Sequence, residues 1–178
     1  MLFRSGEPRV DAPFDQDYAP DRVLEDGERI SGPGWTLTAV ATPGHTSNHL
    51  CFALEGSGAL FTGDHVMQGS TVVINPPDGD MQAYLAALQA LLDEDIEWFA
   101  PGHGFLVAQP QQVIRGLVAH RLKREAKVAA AMRTMPHGSH DDWVKLAYDD
   151  VPPRLWPVAK RSLLAHVERI ESLGGFNL

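Results

Sequence analysis

The sequence predicts an α/β fold with a mixed sheet and a helical tail, and three observations carry that prediction. Residues 35–61 alternate like half-buried strands and are interrupted by glycine-rich turns. Residues 80–100 read as a helix followed by a strand, so helix and strand interleave along the chain. Past Pro110 the apolar period changes from two to three or four, and no further strand is signalled.

Taken in order, residues 6–34 are rich in Pro, Asp and Gly without sustained periodicity and predict a loop or insertion. Trp35 to Ala41 predicts the first strand, and Thr42-Pro43-Gly44-His45-Thr46 a turn. Residues 48–54 and 59–61 predict two short strands joined by Glu55-Gly56-Ser57-Gly58, with glycines available for positive φ. Residues 71–74 predict another strand. Asp80 is placed to cap a helix over 81–92, whose Met81, Tyr84, Leu85, Leu88, Leu91 and Leu92 share one face. Residues 96–100 predict a last strand, ending at Pro101-Gly102-His103-Gly104. In the tail, Val113, Ile114, Leu117 and Val118 predict a buried helical stripe that continues weakly to Met132. A short helix over 141–148 follows, then one over 154–173 with Leu163, Val167 and Ile170 inward and Gly174-Gly175 as its stop. Trp35, Trp98, Trp143 and Trp156 are read as core. The division expected is an α/β part over 6–109 and a helical subdomain over 110–178.

A chain of 178 residues can bury one core and a small appendage. Its 44% hydrophobic and 21% charged content are those of an ordinary globular protein. No apolar run approaches the ~20 residues of a membrane-spanning helix, and no export signal is evident, so no membrane partner is expected. The one cysteine, Cys51, excludes a disulfide framework and reads as a buried thiol in a cytoplasmic protein. A net charge of −8 argues against a dedicated nucleic-acid binder. The charge is uneven. Asp11, Asp15, Asp17, Asp21, Glu25, Asp26 and Glu28 surround a single basic residue, Arg22, whereas Arg115, Arg121, Lys123, Arg124, Lys127 and Arg133 surround Glu125. A solvated helix face is the plain reading of that basic run, and the run keeps a ribonuclease open as an alternative; for Arg121, Lys123, Arg124 and Lys127 the functional reading is steering of an anionic substrate.

Three segments carry chemistry: Thr42-Pro-Gly-His45-Thr-Ser-Asn-His49, Phe61-Thr-Gly-Asp64-His65 and Ala100-Pro-Gly-His103-Gly. Each sets a ligand-type side chain directly after a predicted strand, on a loop that a sheet holds rigid. Imidazole nitrogen and carboxylate oxygen suit zinc, and also iron or manganese. An aspartate shared by two dications reduces their mutual repulsion. Singly each segment is weak; in this order, each at a strand end, they define a candidate site. Cys51 beside His49 is the competing nucleophile, but Leu50 and Phe52 around it point to burial without activation. No Gly-x-Ser-x-Gly elbow and no phosphate-binding glycine loop occur.

The ordered set TPGHTSNH, FTGDH and PGHG resembles the later motifs of the metallo-β-lactamase superfamily, which includes hydroxyacylglutathione hydrolases and lactamase-like ribonucleases. The resemblance extends over nearly all of residues 35–173 and is nearest to members with a winged-helix-like tail. It implies the C-terminal half of an αββα sandwich plus that tail. It also implies His45 as a ligand of one metal, His103 as a ligand of a second, and Asp64 as the bridging carboxylate with a catalytic role. The cofactors implied are two divalent ions, zinc first, with iron or manganese as alternatives. Substrate-binding residues are not identified. His49 and His65 match no ligand position and are read as supporting or surface residues.

One departure qualifies the match. The family's leading motif, His-x-His-x-Asp-His, is absent; the close pairs His45/His49 and His137/His140 lack its spacing and its aspartate. The expectation is therefore a fragment lacking the N-terminal half of its own domain, with His45, Asp64 and His103 converging but inactive alone. Met1-Leu2-Phe3-Arg4-Ser5 fits that view, because the end of a common sequencing-library adapter would translate to it; a natural start is the alternative. The whole protein is expected to be a metal-dependent hydrolase in which metal-activated hydroxide attacks an ester, thioester, lactam or phosphodiester. A small-molecule substrate is favoured over RNA. The alternative is a non-catalytic half-domain, a binding or interaction module whose uncovered sheet face would promote association. For the tail, the mixed charges of the final helix (Arg154, Lys160, Arg161 and Arg169 beside Glu168 and Glu171) argue for shaping a substrate entrance and against reading DNA.

Overall fold

The computed structural model describes residues 19–175 and the backbone of Phe3–Arg4. The expectations for residues 6–18, including Asp11, Asp15 and Asp17, lie outside the described residues. Two minimal strands, β1 (Phe3–Arg4) and β2 (Arg22–Val23), pair in parallel. The main sheet takes six strands in chain order: β3 (Arg29–Gly32), β4 (Trp35–Ala41), β5 (Leu50–Leu54), β6 (Ala59–Gly63), β7 (Trp98–Pro101) and β8 (Val107–Ala108). Neighbours are antiparallel except β6 and β7, which are parallel. A parallel pair needs a crossover, and helix α1 (Met81–Ala90) lies within it. Asp80 caps α1 by accepting from the Ala83 N–H at 2.9 Å. The apolar spacing read as helix to residue 92 tightens into a single 3₁₀ turn at Leu91–Asp93.

One face of the sheet packs on α1, with Cys51, Leu60 and Phe99 meeting Tyr84, Leu85 and Leu88. The opposite face carries a smaller cluster in which Leu24 and Ile30 cover Ala39, with Phe52 alongside. Farther along that face Phe61 and Trp98 remain 44% and 45% exposed. The helical tail comprises α2 (Pro110–Thr134), α3 (His140–Ala147) and α4 (Trp156–Ser172). α2 is shared: Ile114 belongs to the sheet core, while Val128 and Ala131 join Trp143, Val144, Leu163 and Val167 in a second core. Among the described residues no helix is long and apolar enough to cross a membrane.

Four expectations are corrected. The segment read as irregular over 6–34 contains β3, whose Ile30 points inward against β4; a four-residue strand among Pro and Gly gives too short an alternation to detect. Residues 71–74 form no strand, because side chains from other elements take their backbone groups. The Val72 carbonyl accepts from Arg121, the Val73 carbonyl from His45, and the Ile74 N–H donates to Ser162. Trp35 and Trp98 are not core, since their β4 and β7 positions face outward. The basic run is a solvated face only in part, at Arg115, Lys123 and Arg133. Arg121 and Arg124 are buried, and Lys127 pairs with Asp149 at 2.6 Å.

Arg124 shows what holds the tail together. Its guanidinium binds both Asp150 oxygens, at 2.7 and 3.0 Å, caps the Ala147 carbonyl at the end of α3, and lies 4.2 Å from the Tyr148 ring centroid. The guanidinium keeps the Asp150 carboxyl at about 2, below the ordinary carboxylate range. Arg124→Met would leave the Ala147 carbonyl unpaired and should lower stability by about 1–3 kcal/mol. Lys123→Gln, at an exposed position on the same helix, should stay within about 0.5 kcal/mol. Urea denaturation of the two variants checks this; equal midpoints would contradict it.

Candidate metal centre

The strand directions bring the three loops together. Two antiparallel steps make β4 and β6 run the same way, and β7 is parallel to β6. The loops after β4, β6 and β7 therefore leave the same edge of the sheet, carrying His45, Asp64 and His103. The Gly102 N–H donates to the Gly63 carbonyl at 2.8 Å, and the Gln68 N–H to the His103 carbonyl at 3.2 Å, so the Asp64 and His103 loops are bound to each other. A pairing irregularity between β6 and β7 falls at Phe61 and Gly63, directly before Asp64.

The His45 loop is anchored to α1. The Asp80 N–H donates to the Gly44 carbonyl at 2.8 Å, and Ser47 donates to Asp78 at 2.6 Å. Gly44 has φ +137°, and a Cβ there would stand 2.3 Å from the Tyr84 Cα, so no other residue fits. Tyr84 reaches the second loop as well, its hydroxyl donating to the His65 carbonyl at 3.1 Å.

The ligand-type atoms converge on Asp64. His45 Nε2 stands 4.0 Å from Asp64 Oδ2, and His103 Nε2 stands 3.4 Å from Asp64 Oδ1. His45 Nδ1 lies 2.9 Å from the Val73 carbonyl, which can only accept. Nδ1 therefore donates there, which turns Nε2 toward the carboxylate, an arrangement that a cation between them suits. Two ligands at ~2.0–2.1 Å from a tetrahedral zinc stand about 3.3–3.4 Å apart, so the His103 pair already matches and the His45 pair needs a slight closure. Among the described residues no three His, Cys, Asp or Glu side chains surround one ion position. The set is two pairs sharing Asp64, so the donors fit two cations and leave each with two protein ligands, where a catalytic zinc has three.

His49 and His65 stand behind these atoms. The His45 and His49 rings are 6.4 Å apart, His49 and His65 5.8 Å, and His65 and Tyr84 5.0 Å, centroid to centroid. His65 is fully buried, which removes the surface reading for it, and among the described residues neither of its ring nitrogens meets a hydrogen-bond partner. His49 Nδ1 is 2.8 Å from the Thr42 hydroxyl, which also lies 3.2 Å from Cys51 Sγ. Burial, aided by the neighbouring imidazoles, lowers His49 to about 4 and His65 to about 3. Burial pushes the Cys51 thiol up to about 12, so it is no nucleophile. His137 precedes α3 and His140 is its first residue, so both belong to the helical tail. Sequence reasoning missed the Val73 carbonyl and Tyr84. The first is a backbone group that no residue type advertises, and the second carries only the signal of a helix-face aromatic.

Comparison with known proteins adds to this geometry. The metallo-beta-lactamase superfamily model matches residues 2–103, and the beta-lactamase associated winged helix domain model matches residues 139–174. The chain is 29% identical over 182 residues to the Beta-lactamase-like protein 2 homolog of Drosophila melanogaster, covering 97% of this chain and 59% of that protein. It is 35% identical over 118 residues to an atrochrysone carboxyl ACP thioesterase of Cryptosporiopsis sp. (strain 8999), covering 65% of this chain and 35% of that protein. Among solved structures, a metallo-beta-lactamase family protein from Thermus thermophilus superposes with a TM-score of 0.73 at 25% identity, over 85% of this chain and 49% of that one. The chain thus spans only about a third to three fifths of the length of these relatives.

The buried histidines give the metal-free chain a defined pH response. The folded rings stay neutral, while the same side chains protonate in the unfolded chain below about 6.5. The unfolded state then binds more protons, so stability is full above pH 6.5 and falls as the pH drops toward 4. The expected slope is about 1 kcal/mol per pH unit for each histidine. Urea midpoints at pH 7 and pH 5 measure it, and His65→Leu should reduce the slope; a midpoint independent of pH would contradict the neutral, buried rings.

Proposed function

The chain belongs to the metallo-beta-lactamase superfamily, and we propose that His45, Asp64 and His103 are its share of a two-ion hydrolytic centre. The observation that carries this is Asp64, whose two oxygens face two histidine Nε2 atoms on either side. Zinc is the preferred ion, and iron or manganese suits the same donors. Such ions supply a polarised scissile group and a water acidic enough to attack it. The protein's own contribution is placement. Val73 aims His45, and the paired ends of β6 and β7 hold Asp64 opposite His103. The His103 side chain is 73% exposed, so that side of the centre stands open to substrate or to further chain.

The remaining ligands come, on this reading, from a half-domain outside the present sequence. Two features support it: the relatives' greater length, and the apolar sheet face bearing Phe61 and Trp98. The substrate class we favour is a small thioester or ester. Several relatives are named thioesterases, and Arg121 and Arg124, which a nucleic-acid backbone would need free, are buried in contacts within the protein. The single, buried, free thiol suits a reducing compartment, the cytoplasm.

The isolated chain should bind zinc weakly and hydrolyse nothing, because each ion has two donors; tight stoichiometric binding in calorimetry, or turnover, would contradict the missing ligands. In the longer protein that includes the preceding half-domain, Asp64→Asn should lower kcat/KM for a thioester by at least about a hundredfold, since even outer partners of metal ligands matter ~10–100-fold. Undiminished hydrolysis would refute the assignment, and cleavage of RNA with thioesters untouched would refute the substrate class.

A further inference from the structure

We infer that the helical tail positions His45, with Arg121 of α2 and Ser162 of α4 as the residues that do so. This rests on the reading of His45 as a metal ligand. Three consecutive residues after the Asp64 loop each bond to a different element. The Val72 carbonyl accepts from the Arg121 guanidinium. The Val73 carbonyl accepts from His45 Nδ1 at 2.9 Å, and the Ile74 N–H donates to Ser162 Oγ at 3.2 Å.

The last two bonds belong to one peptide unit. The Val73 carbonyl and the Ile74 N–H lie in the same plane and point in opposite directions in a trans peptide. Holding that N–H at Ser162 therefore turns the carbonyl toward His45. Arg121 fixes the preceding peptide plane in the same way, so the segment cannot rotate about either side of Val73. Val72 and Ile74 are buried, which denies water to these groups if a partner is removed.

Arg121 is itself held. It is 4% exposed, with its guanidinium carbon 5.3 Å from the Tyr84 ring centroid, and among the described residues no carboxylate pairs with it. A buried guanidinium is costly to desolvate, and here its charge serves a backbone carbonyl and an aromatic face instead of an ion pair. The consequence reaches the metal-facing atom, because a proton held on Nδ1 leaves the Nε2 lone pair for a cation shared with Asp64.

The test follows ¹⁵N-labelled histidines in the full chain without metal at one neutral pH, then during titration with zinc alone. Wild type should show His45 protonated on Nδ1. Ser162→Ala and Arg121→Met should give a mixture of tautomers and raise the zinc concentration that half-shifts His45 about tenfold. Ser162→Thr, which keeps the hydroxyl, should restore the single tautomer. Arg124→Met, which loosens the tail without touching residues 72–74, should lower stability and leave the tautomer unchanged. The inference is overturned if Ser162→Ala and Arg121→Met keep the Nδ1 proton, or if Arg124→Met disturbs it equally. Should Arg121→Met not fold, Ser162→Ala decides. A tautomer that responds to Ser162 while zinc leaves His45 unmoved would uphold the positioning and sink the metal reading, so the two failures are distinct.

Discussion

The Gly102 N–H gives its hydrogen to the Gly63 carbonyl, and that bond ties the ends of β6 and β7 where Asp64 and His103 emerge. It forms because the two strands are parallel and in register up to the irregularity at Gly63. A Cβ at Gly102 would lie 3.2 Å from both Asp64 Oδ1 and the Gly63 carbonyl, closer than nearly all packed side chains come. The close approach of these loops thus depends on backbone that carries no side chain there. Parallel pairing also dictates the crossover, and the crossover carries α1 and the segment that meets His45.

Tyr84 connects the other half of the geometry. Its backbone abuts Gly44, its hydroxyl holds the carbonyl beside Asp64, and its ring faces Arg121 from the tail. One residue in α1 thus sets the distance between the His45 and Asp64 loops and receives the tail against the sheet. The site is consequently not an attachment to the α/β layer. Its pieces are held by the same contacts that build the core: the buried His65 has its carbonyl bonded by the Tyr84 hydroxyl and its ring against the Tyr84 ring.

Much of this is legible in the sequence, and the reasons differ by element. Strand β4 and helix α1 are readable because each is long enough for its period to repeat and because Asp80 marks a helix start. The residues His45, Asp64 and His103 stand out because each follows a strand and adjoins glycine. Strand β3 is hidden by its brevity. Residues 71–74 mislead because Val72, Val73 and Ile74 have strand propensity, while their partners, Arg121 and Ser162, lie far along the chain. Arg121 and Arg124 mislead for a related reason. Charge predicts solvent unless acceptors within the fold await it, and the acceptors here are backbone carbonyls at 72 and 147 and the carboxylate of Asp150.

The central claim is that Asp64 stands between two cation positions, one against His45 and one against His103. Anomalous diffraction at the zinc edge from crystals of the chain grown or soaked with zinc tests it most directly. The account predicts density on both sides of Asp64, one peak beside His45 Nε2 and one beside His103 Nε2, each with incomplete protein ligation. Zinc found only elsewhere, as at His137 and His140, with none against Asp64, would contradict it.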